Sequence, residues 1–422
     1  MAGDAAAQGT EAPPHPARVA AMVLLPFGAG YYLSYFYRTM NAVIAPQLVS
    51  EEGLTAADLG FLTSVYFVSF ASIQLPIGVA LDRYGPRRVQ TGLLLVAAAG
   101  GAIFATGAGF TALSIGRALI GFGVAGCFMA LLKANSIWWP RARLPLVNNL
   151  SAAFGGFGAL SATVPVEAAL RILDWRGIFA VVAAVTVVVS ALTFFVVPER
   201  SASMDRSASI ALQARETGRI YRDAFFWRIG FMLAVGFAVF IAYQTLWAGP
   251  WLRDVAGFDR AGVADRLLLI QLGMLAGVLS GGVIADRLGR AGIGPTALVR
   301  AGFALFLLVQ FLLVLEVTAL AGLLWAGFGF FGASLFLCYS IYAHYYPPNL
   351  TGRVNTANNL VLFCLAFIAQ WGIGGIIGLW PAAEDGHFAP AGHRAALIAA
   401  LAVEIAAYLW FLWPRRRGRD AG

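Results

Sequence analysis

Charged residues are scarce in this chain. Only 12% of its 422 residues are Asp, Glu, Lys or Arg, and 60% are hydrophobic. Because a soluble domain carries about 25% charged residues, this composition excludes an ordinary soluble protein and indicates an integral membrane protein. The net charge of +8 is explained by membrane topology. It does not indicate nucleic-acid binding, because the basic residues form no clustered face.

Cysteine is rare as well, and reactive side chains are not grouped. Cys127, Cys338 and Cys364 lie within apolar runs without metal-ligand spacing, so we expect small buried side chains. No nucleophile, base and acid set is present, and we expect neither an enzyme nor a cofactor or metal site. Acids inside the apolar runs are few, and Glu167 and Glu404 are the clearest of them.

The apolar runs predict twelve membrane-spanning helices, because a span needs about 20 mostly apolar residues. Runs of this kind, numbered helices 1 to 12, occur at 18–45, 58–81, 88–108, 112–138, 145–168, 175–197, 226–249, 262–285, 295–315, 318–345, 354–380 and 393–413. The predicted fold class is therefore an all-α membrane protein with twelve transmembrane helices in two six-helix halves.

A polar stretch separates the two predicted halves. Residues 198–225 are rich in Ser and mixed charge, so we predict a cytoplasmic linker between halves at 18–197 and 226–413. The segment 1–17 is rich in Ala and Pro and predicts a disordered tail, and 414–422 forms a basic tail.

The halves repeat features at a nearly constant spacing. Ala45-Pro46, which we expect to end helix 1, and Gly249-Pro250, which we expect to end helix 7, are 204 residues apart. The same distance separates Asp82 and Asp286. Such an offset indicates duplication, and duplicated halves of a transporter place the substrate site between them near the middle of the membrane.

Basic residues are unequally distributed between the two sides of the predicted bundle. With residues 78–88 placed inside, most of the 29 Lys and Arg residues fall on the cytoplasmic side. Cationic residues accumulate on cytoplasmic loops. The bias predicts a multi-pass protein of the cytoplasmic (inner) membrane with both termini in the cytoplasm.

One short pattern occurs twice between helices. Residues 78–88 read Gly-Val-Ala-Leu-Asp-Arg-Tyr-Gly-Pro-Arg-Arg, and residues 282–290 read Gly-Val-Ile-Ala-Asp-Arg-Leu-Gly-Arg. In the first copy, Gly85 can take positive φ and Pro86 cannot continue a helix, which predicts a tight turn. Both copies resemble the signature loop of the major facilitator superfamily, which lies between helices 2 and 3 and between helices 8 and 9.

This resemblance covers about residues 18–413 and implies a secondary transporter that works by alternating access. In the family, the acid of the loop caps a neighbouring helix and pairs with arginine when the transporter is open outward. A carboxylate is favourable at the positive end of a helix dipole. The alternative is an ordinary positively charged turn. The resemblance implies gating roles for Asp82, Arg83, Gly85, Arg87, Asp286, Arg287 and Gly289.

Helix 4 contains an arginine followed by spaced glycines, which resembles the helix-4 motif of the same family. Arg117 and Gly121 belong to it, and glycines of this kind let helices approach closely. An intramembrane arginine usually faces a cavity or partner. Because Arg117 lies near the outer end, snorkelling to the interface is the alternative. Lys133, further along helix 4, could neutralise an anion or a neighbouring acid, or be a structural lysine facing a cavity.

Helix 1 carries a polar and aromatic stripe. Tyr31, Tyr35 and Arg38 share one face by their i, i+4 and i+3 spacing, and Asn41 follows. The stretch resembles helix 1 of the organophosphate and organic anion permeases, in which an arginine eight residues before a proline holds the substrate anion. Arg38 and Pro46 have that spacing. The alternative is a structural arginine bonded to a neighbouring helix.

Helix 7 lacks the second arginine of those permeases, because the matching position is Ala242. Nearby Gln244 and Trp247 are amide and aromatic, and one arginine facing such a helix suits a partly apolar organic anion of low charge. We therefore predict that the substrate is bound by residues of helices 1, 4 and 7. They are Tyr31, Tyr35, Arg38, Asn41, Lys133, Gln244 and Trp247.

Taken with the resemblance, these features predict a monomeric permease in the lipid bilayer that imports a small organic anion. A coupling proton or counter-substrate would be its further partner, and no nucleic acid is expected. We do not expect Glu404 to carry that proton, because helix 12 is peripheral in the family.

Two alternatives remain. Proton-coupled multidrug efflux is disfavoured because residues 154–158 lack the proline of the helix-5 motif found in drug/proton antiporters. A non-transporting membrane sensor is disfavoured because both signature loops are intact and both tails are short.

Overall fold

The computed structural model describes residues 16–140, 143–199, 215, 217–383 and 386–413. These residues are almost entirely helical and contain no β-strand. Most of the predicted N-terminal tail and linker, and the basic tail at 414–422, lie outside them.

The described helices confirm the predicted fold class. Ten of them are long and apolar enough to cross a membrane. The other two predicted spans are helices 2 and 5. Helix 2 is interrupted at Ile73, and its first part, Ala56–Ser72, is a shorter apolar helix.

The first six helices have the following bounds. Helix 1 comprises Pro16–Val19, a π-helical turn at Ala20–Leu24, Leu25–Thr39 and Asn41–Glu52; helices 2 and 3 comprise Ala56–Ser72 and Gln74–Thr106, with a break at Gly85; helix 4 comprises Gly109–Val124 and Cys127–Trp138; helix 5 comprises Leu144–Ser161 and Val164–Ala169; helix 6 is Trp175–Val196.

The last six helices follow the same order. Helix 7 comprises Ala224–Ala242, a π-helical turn at Tyr243–Trp247 and Ala248–Asp254; helix 8 is Arg260–Arg290; helix 9 is Pro295–Val314; helix 10 comprises Thr318–Leu320, Ala321–Gly332, Ala333–Leu337 and Cys338–Tyr345; helix 11 is Pro348–Ile377; helix 12 is Pro390–Leu412.

The two signature loops define one side of the bundle, which we call the motif side; the other is the opposite side. Three helices that start on the opposite side are capped by side chains. Thr55 forms a capping box at the start of helix 2, and Asp174 and Asp259 accept hydrogen bonds from backbone N–H groups that open helices 6 and 8. These caps satisfy N–H groups that lack helical partners.

Helices 1 and 7 do not end at their prolines, and the prediction was wrong on this point. Helix 1 continues through Pro46 to Glu52, and helix 7 continues through Pro250 to Asp254. Pro46 cannot donate to the Ala42 carbonyl one turn earlier. At Gly249 a Cβ would lie 2.5 Å from that oxygen, so the two helices touch here. This contact between helices supports the chain where proline weakens the helix.

The two signature loops fold differently. Gly85 has a φ of 79°, as the predicted turn requires. In the second copy, helix 8 runs through Gly289 to Arg290, and the positive φ of 81° falls at Gly292. Arg290 stands where the first copy has proline, so the helix can continue past the glycine.

Burial of the cysteines follows the prediction only in part. Cys127 and Cys338 are buried, whereas Cys364 is exposed on helix 11. An apolar run does not by itself bury a residue within the protein, because lipid tails are as apolar as leucine.

Candidate functional site

Arg38 is surrounded by aromatic rings from three helices. The residue is 8% exposed, and its guanidinium carbon lies 4.7 Å from the centroid of the Tyr35 ring on helix 1. Tyr66 and Phe70 of helix 2 follow at 5.9 and 5.3 Å. Phe363 of helix 11 lies at 5.7 Å. These five side chains, which we call the arginine pocket, join the first six helices to the last six.

The charge of Arg38 has no acidic partner. No ion pair among the described residues includes Arg38, and its Nε lacks a hydrogen-bond partner. Aromatic faces attract a cation by about 0.5–2 kcal/mol. An arginine at the centre of a span costs about 2.5–3.5 kcal/mol on insertion scales. The pocket therefore holds a cation whose planar donors remain suited to an anion.

Tyr31 extends this pocket toward the motif side. Its ring centroid lies 5.2 Å from that of Tyr35. Its ring also stacks on the Phe128 ring of helix 4, with 4.7 Å between the two centroids. Gly155 of helix 5 allows this arrangement, since a Cβ there would lie 2.7 Å from Tyr31 and 2.9 Å from Tyr35. The structure thus brings together three of the predicted binding residues, Tyr31, Tyr35 and Arg38.

Two further predicted binding residues contact side chains outside the arginine pocket. Asn41 is fully buried, and its Nδ2 donates to Thr63 Oγ1 at 3.1 Å, which ties helix 1 to helix 2. Lys133 Nζ donates to Asp82 Oδ1 at 2.7 Å. The sequence left open whether Lys133 faces a substrate or a neighbouring acid, and in this conformation the acid is Asp82 of the first signature loop.

Gln244 and Trp247 lie in the π-helical turn of helix 7, which packs against helix 1. Gln244 Nε2 donates to Gln271 Oε1 at 2.8 Å. The indole N–H of Trp247 donates to the backbone carbonyl of Gln370 on helix 11 at 3.0 Å. π-helical turns are frequent at functional sites, and the sequence carried no signal for this one.

Arg117 does not snorkel to the membrane interface. It is 1% exposed, its Nη1 donates to the Tyr37 carbonyl of helix 1 at 3.0 Å, and its guanidinium lies 5.2 Å from the Tyr66 ring centroid. Gly121 brings helix 4 against the same residue, since a Cβ there would lie 2.3 Å from the Tyr66 carbonyl oxygen. Tyr66 therefore stands between Arg117 and Arg38.

Sequence reasoning missed three residues of the arginine pocket. Tyr66 and Phe70 lie one turn apart on helix 2, and Phe363 lies on helix 11. Their aromatic side chains occur in runs with many other aromatics, so nothing local distinguishes them. Only proximity to Arg38 identifies them.

The opposite side is closed by contacts between the first six and the last six helices. At Gly374 of helix 11, a Cβ would lie 2.4 Å from the Ala56 carbonyl oxygen of helix 2. Glu167 of helix 5 pairs with Arg260 of helix 8 at 3.5 Å. On the motif side, Asp82 pairs within the first six helices. The structure is thus shut at the side away from the signature loops.

The other signature residues lie on or near the surface of the motif side. The Arg83 guanidinium lies 5.5 Å from the Tyr84 ring centroid, and Arg87 is 3.9 Å from Glu199. Asp286 pairs with Arg290 within helix 8. Arg287 and Gly289 occupy the same last turns of that helix.

Comparison with known proteins identifies the class of protein. A sequence profile described as the Major Facilitator Superfamily matches residues 27–370. The chain therefore belongs to the Major Facilitator Superfamily, and it is a multi-pass membrane protein and a secondary transporter.

Relatives and solved structures agree with this assignment. The probable sulfoacetate transporter SauU of Cupriavidus necator is 26% identical over 61% of this chain and 63% of its own length, so the match spans less than two thirds of that protein. A hexuronate transporter of Bacillus subtilis is 25% identical over 63% of this chain and 64% of its own length. A bacterial homologue of the human lysosomal transporter Spinster, solved inward-facing and occupied, has a TM-score of 0.76 with 16% identity, over 94% of this chain and 97% of its own. At that identity the likeness concerns the fold alone.

Proposed function

We propose that this transporter imports a small organic anion by alternating access and that Arg38 binds the anionic group. The observation that supports the proposal is the aromatic-lined guanidinium of Arg38, which has no acidic partner among the described residues. A carboxylate or sulfonate would accept two parallel hydrogen bonds from such a planar donor. The rings of Tyr35 and Phe70 would cover the rest of the ligand.

The names of the relatives support an anion as well. They include a probable sulfoacetate transporter, a hexuronate transporter and, in Escherichia coli at 25% identity, a probable L-galactonate transporter. These ligands share an acid group on a small polar skeleton. Because the chain offers one arginine in this pocket and Ala242 on helix 7, a substrate with one recognised acid group fits better than a phosphate held between two arginines.

The binding test is ligand-induced thermal stabilisation of the purified protein. The panel contains sulfoacetate, glucuronate, galactonate, a phosphate ester and a cationic dye. A ligand at 100 times its Kd stabilises the folded state by about 2.7 kcal/mol. Arg38→Lys keeps the charge but loses the planar donor pair, so we expect about tenfold weaker binding, which is about 1.4 kcal/mol.

Arg38→Ala should abolish stabilisation by the anion that the wild type binds. Arg394→Ala is the matched control, because that arginine is half-exposed and pairs with Glu316 on the opposite side. Unchanged affinity of Arg38→Ala for that anion would contradict the proposal. A response to the dye alone would favour multidrug efflux instead.

We further propose that the motif side is cytoplasmic and that residues 18–197 and 226–413 move as two halves. The excess of basic residues on that side supports the orientation. Single cysteines placed in a cysteine-free background as D205C and G422C should be labelled only from the cytoplasm, and G53C only from outside. External labelling of D205C would contradict this orientation.

A further inference from the structure

Glu404 is a buried acid of helix 12 that the proposed transport mechanism does not use. It is 0% exposed, and neither carboxyl oxygen has a hydrogen-bond partner among the described residues. Two other acids with buried carboxylates are paired. Glu167 lies 3.5 Å from Arg260, and Asp254 lies 2.5 Å from Arg253.

Polar but uncharged groups face Glu404 from the neighbouring helices. Gln310 of helix 9 is also fully buried and faces the carboxyl group, although none of their four polar atoms reaches hydrogen-bond geometry. Tyr243 of helix 7 lies within electrostatic range of Glu404. Helix 11, which also packs on helix 12, contributes Cys364, but this residue is exposed.

One cation near helix 12, Arg253 of helix 7, lies at its opposite-side end and is paired with Asp254. Two others lie near its motif-side end. Arg228 of helix 7 donates to the Phe411 carbonyl at 3.0 Å, and the Arg300 guanidinium of helix 9 lies 5.8 Å from the Phe411 ring. Seven residues of helix separate Phe411 from Glu404, a rise of about 10 Å. Tyr408, between them, donates its hydroxyl to the Arg300 carbonyl.

An ionised carboxylate without a partner is strongly unfavourable in such a place, so the carboxyl group is neutral in this conformation. Here it can hold a proton but cannot exchange it, because no water reaches a side chain that is 0% exposed. Exchange requires a second conformation, and alternating access supplies one.

The π-helical turn of helix 7 lies near this acid and also contacts helix 1. Tyr243 opens the turn, and Gln244 lies within it. The turn packs against helix 1, which carries Arg38. π-helical turns are local irregularities that often mark functional positions. A rearrangement of this turn on substrate binding would alter the side chains that cover Glu404.

We propose, contrary to the expectation from the sequence, that Glu404 is the proton-binding site that couples transport to the proton gradient, an inference that rests on the proposed function. The acid holds its proton in the conformation closed on the opposite side. It takes this proton from water of the opposite side when that side is open. When water from the motif side reaches it, the carboxyl O–H bond breaks, the proton passes to that water, and a carboxylate remains. Movement of the Tyr243–Trp247 turn links this step to the anion at Arg38.

The first test needs no substrate and reads the carboxyl group directly. Infrared spectra of the purified full-length protein should contain a protonated-carboxyl C=O band that Glu404→Gln lacks. The band should shift in D2O, because the site exchanges its proton as the protein alternates. Glu316→Gln is the matched control, since Glu316 and Arg394 also join the ends of helices 9 and 12 but on the surface. Identical bands in wild type and Glu404→Gln, or a band that never shifts in D2O, would overturn the proposal.

The second test measures coupling in proteoliposomes with sulfoacetate as the probe. With an outside pH one unit lower and the membrane potential held at zero, one proton per anion supports about tenfold accumulation by the wild type and by Glu316→Gln. Glu404→Gln should still exchange internal for external sulfoacetate but should accumulate none. Full accumulation by Glu404→Gln would overturn the proposal. If the wild type moves no sulfoacetate, the proposed substrate class is at fault, and the infrared test still decides the proton site.

A second variant covers the case in which Glu404→Gln does not fold. Gln310→Leu keeps the acid and removes the amide that faces it. A neutral acid is favoured further when its surroundings become less polar. The protonated-carboxyl band of this variant should therefore persist to higher pH than that of the wild type, and an unchanged pH profile would count against the assignment.

Discussion

In the first signature loop, Asp82 accepts a hydrogen bond from Lys133 of helix 4, 51 residues further along the chain. In the second, Asp286 pairs with Arg290 one turn further along the same helix. The second pair is largely exposed, with side-chain exposures of 62% and 75%. Only the first pair joins two helices. A repeated motif can therefore have the same residues in both halves and a link between helices in only one.

The two loops differ because the neighbouring helices carry different residues at the corresponding position. Position 340, which corresponds to Lys133 at an offset of 207, is serine. Arg38 shows the same asymmetry, because its counterpart on helix 7 is Ala242. Arg38 and Lys133 thus have no basic counterpart in the last six helices. The last six offer amides, aromatic rings and the unpaired acid Glu404.

The largest effect is expected from Asp82→Asn. The variant loses its ion pair with Lys133 in this conformation. In the other conformation it loses the negative charge that the resemblance predicts at the start of a neighbouring helix. We expect sulfoacetate uptake by proteoliposomes to fall about tenfold, a change of about 1.4 kcal/mol in the conformational step. Expression and melting temperature should stay near those of the wild type. Normal uptake by both Asp82→Asn and Asp286→Asn would remove the gating role.

A smaller effect is expected from Lys133→Met. Lys133 pairs with Asp82 in this conformation only, so the substitution destabilises this conformation and not the other. The population should shift by about fivefold, or about 1 kcal/mol, toward the conformation open on the opposite side. Distances between spin labels on helices 2 and 11 measure this shift. Arg290→Met is the matched control and should leave the distances unchanged. Loss of anion binding without a shift would instead make Lys133 a substrate ligand.

A modest effect is expected from Glu167→Gln, which weakens the link between helices 5 and 8 on the opposite side. Arg260 is 52% exposed and the pair is 3.5 Å apart, so solvent screens it. We expect about a twofold increase in labelling of a cysteine introduced as V263C, which faces the same crevice. Glu316→Gln should not change this labelling. Unchanged labelling in Glu167→Gln would mean that the helix packing alone closes this side.

The smallest effect is expected from Asp286→Asn. Exposed pairs one turn apart on a helix contribute about 0.3–0.5 kcal/mol, so uptake should stay within about twofold of the wild type. Sulfoacetate uptake by proteoliposomes measures this effect. A loss as large as that of Asp82→Asn would show that the second loop also gates, and that the asymmetry of its contacts belongs to this conformation only.

Sequence alone was sufficient for the class of fold. The twelve helices follow from the length and apolarity of local runs, and a span is recognisable without knowing its neighbours. The repeated signature pattern identified the superfamily in the same local way. The face shared by Tyr31, Tyr35 and Arg38 followed from helical spacing, and the structure has this face.

Only the tertiary structure decided which residues meet. Phe363 lies 325 positions after Arg38 in an ordinary aromatic run, and Glu404 of helix 12 faces Gln310 of helix 9. Helix 1 continues past Pro46, where helix 7 packs against it. In a membrane protein both buried and lipid-facing positions are apolar. Composition therefore marks the spans but not the faces, and the partners of each charge are determined by the packing of helices.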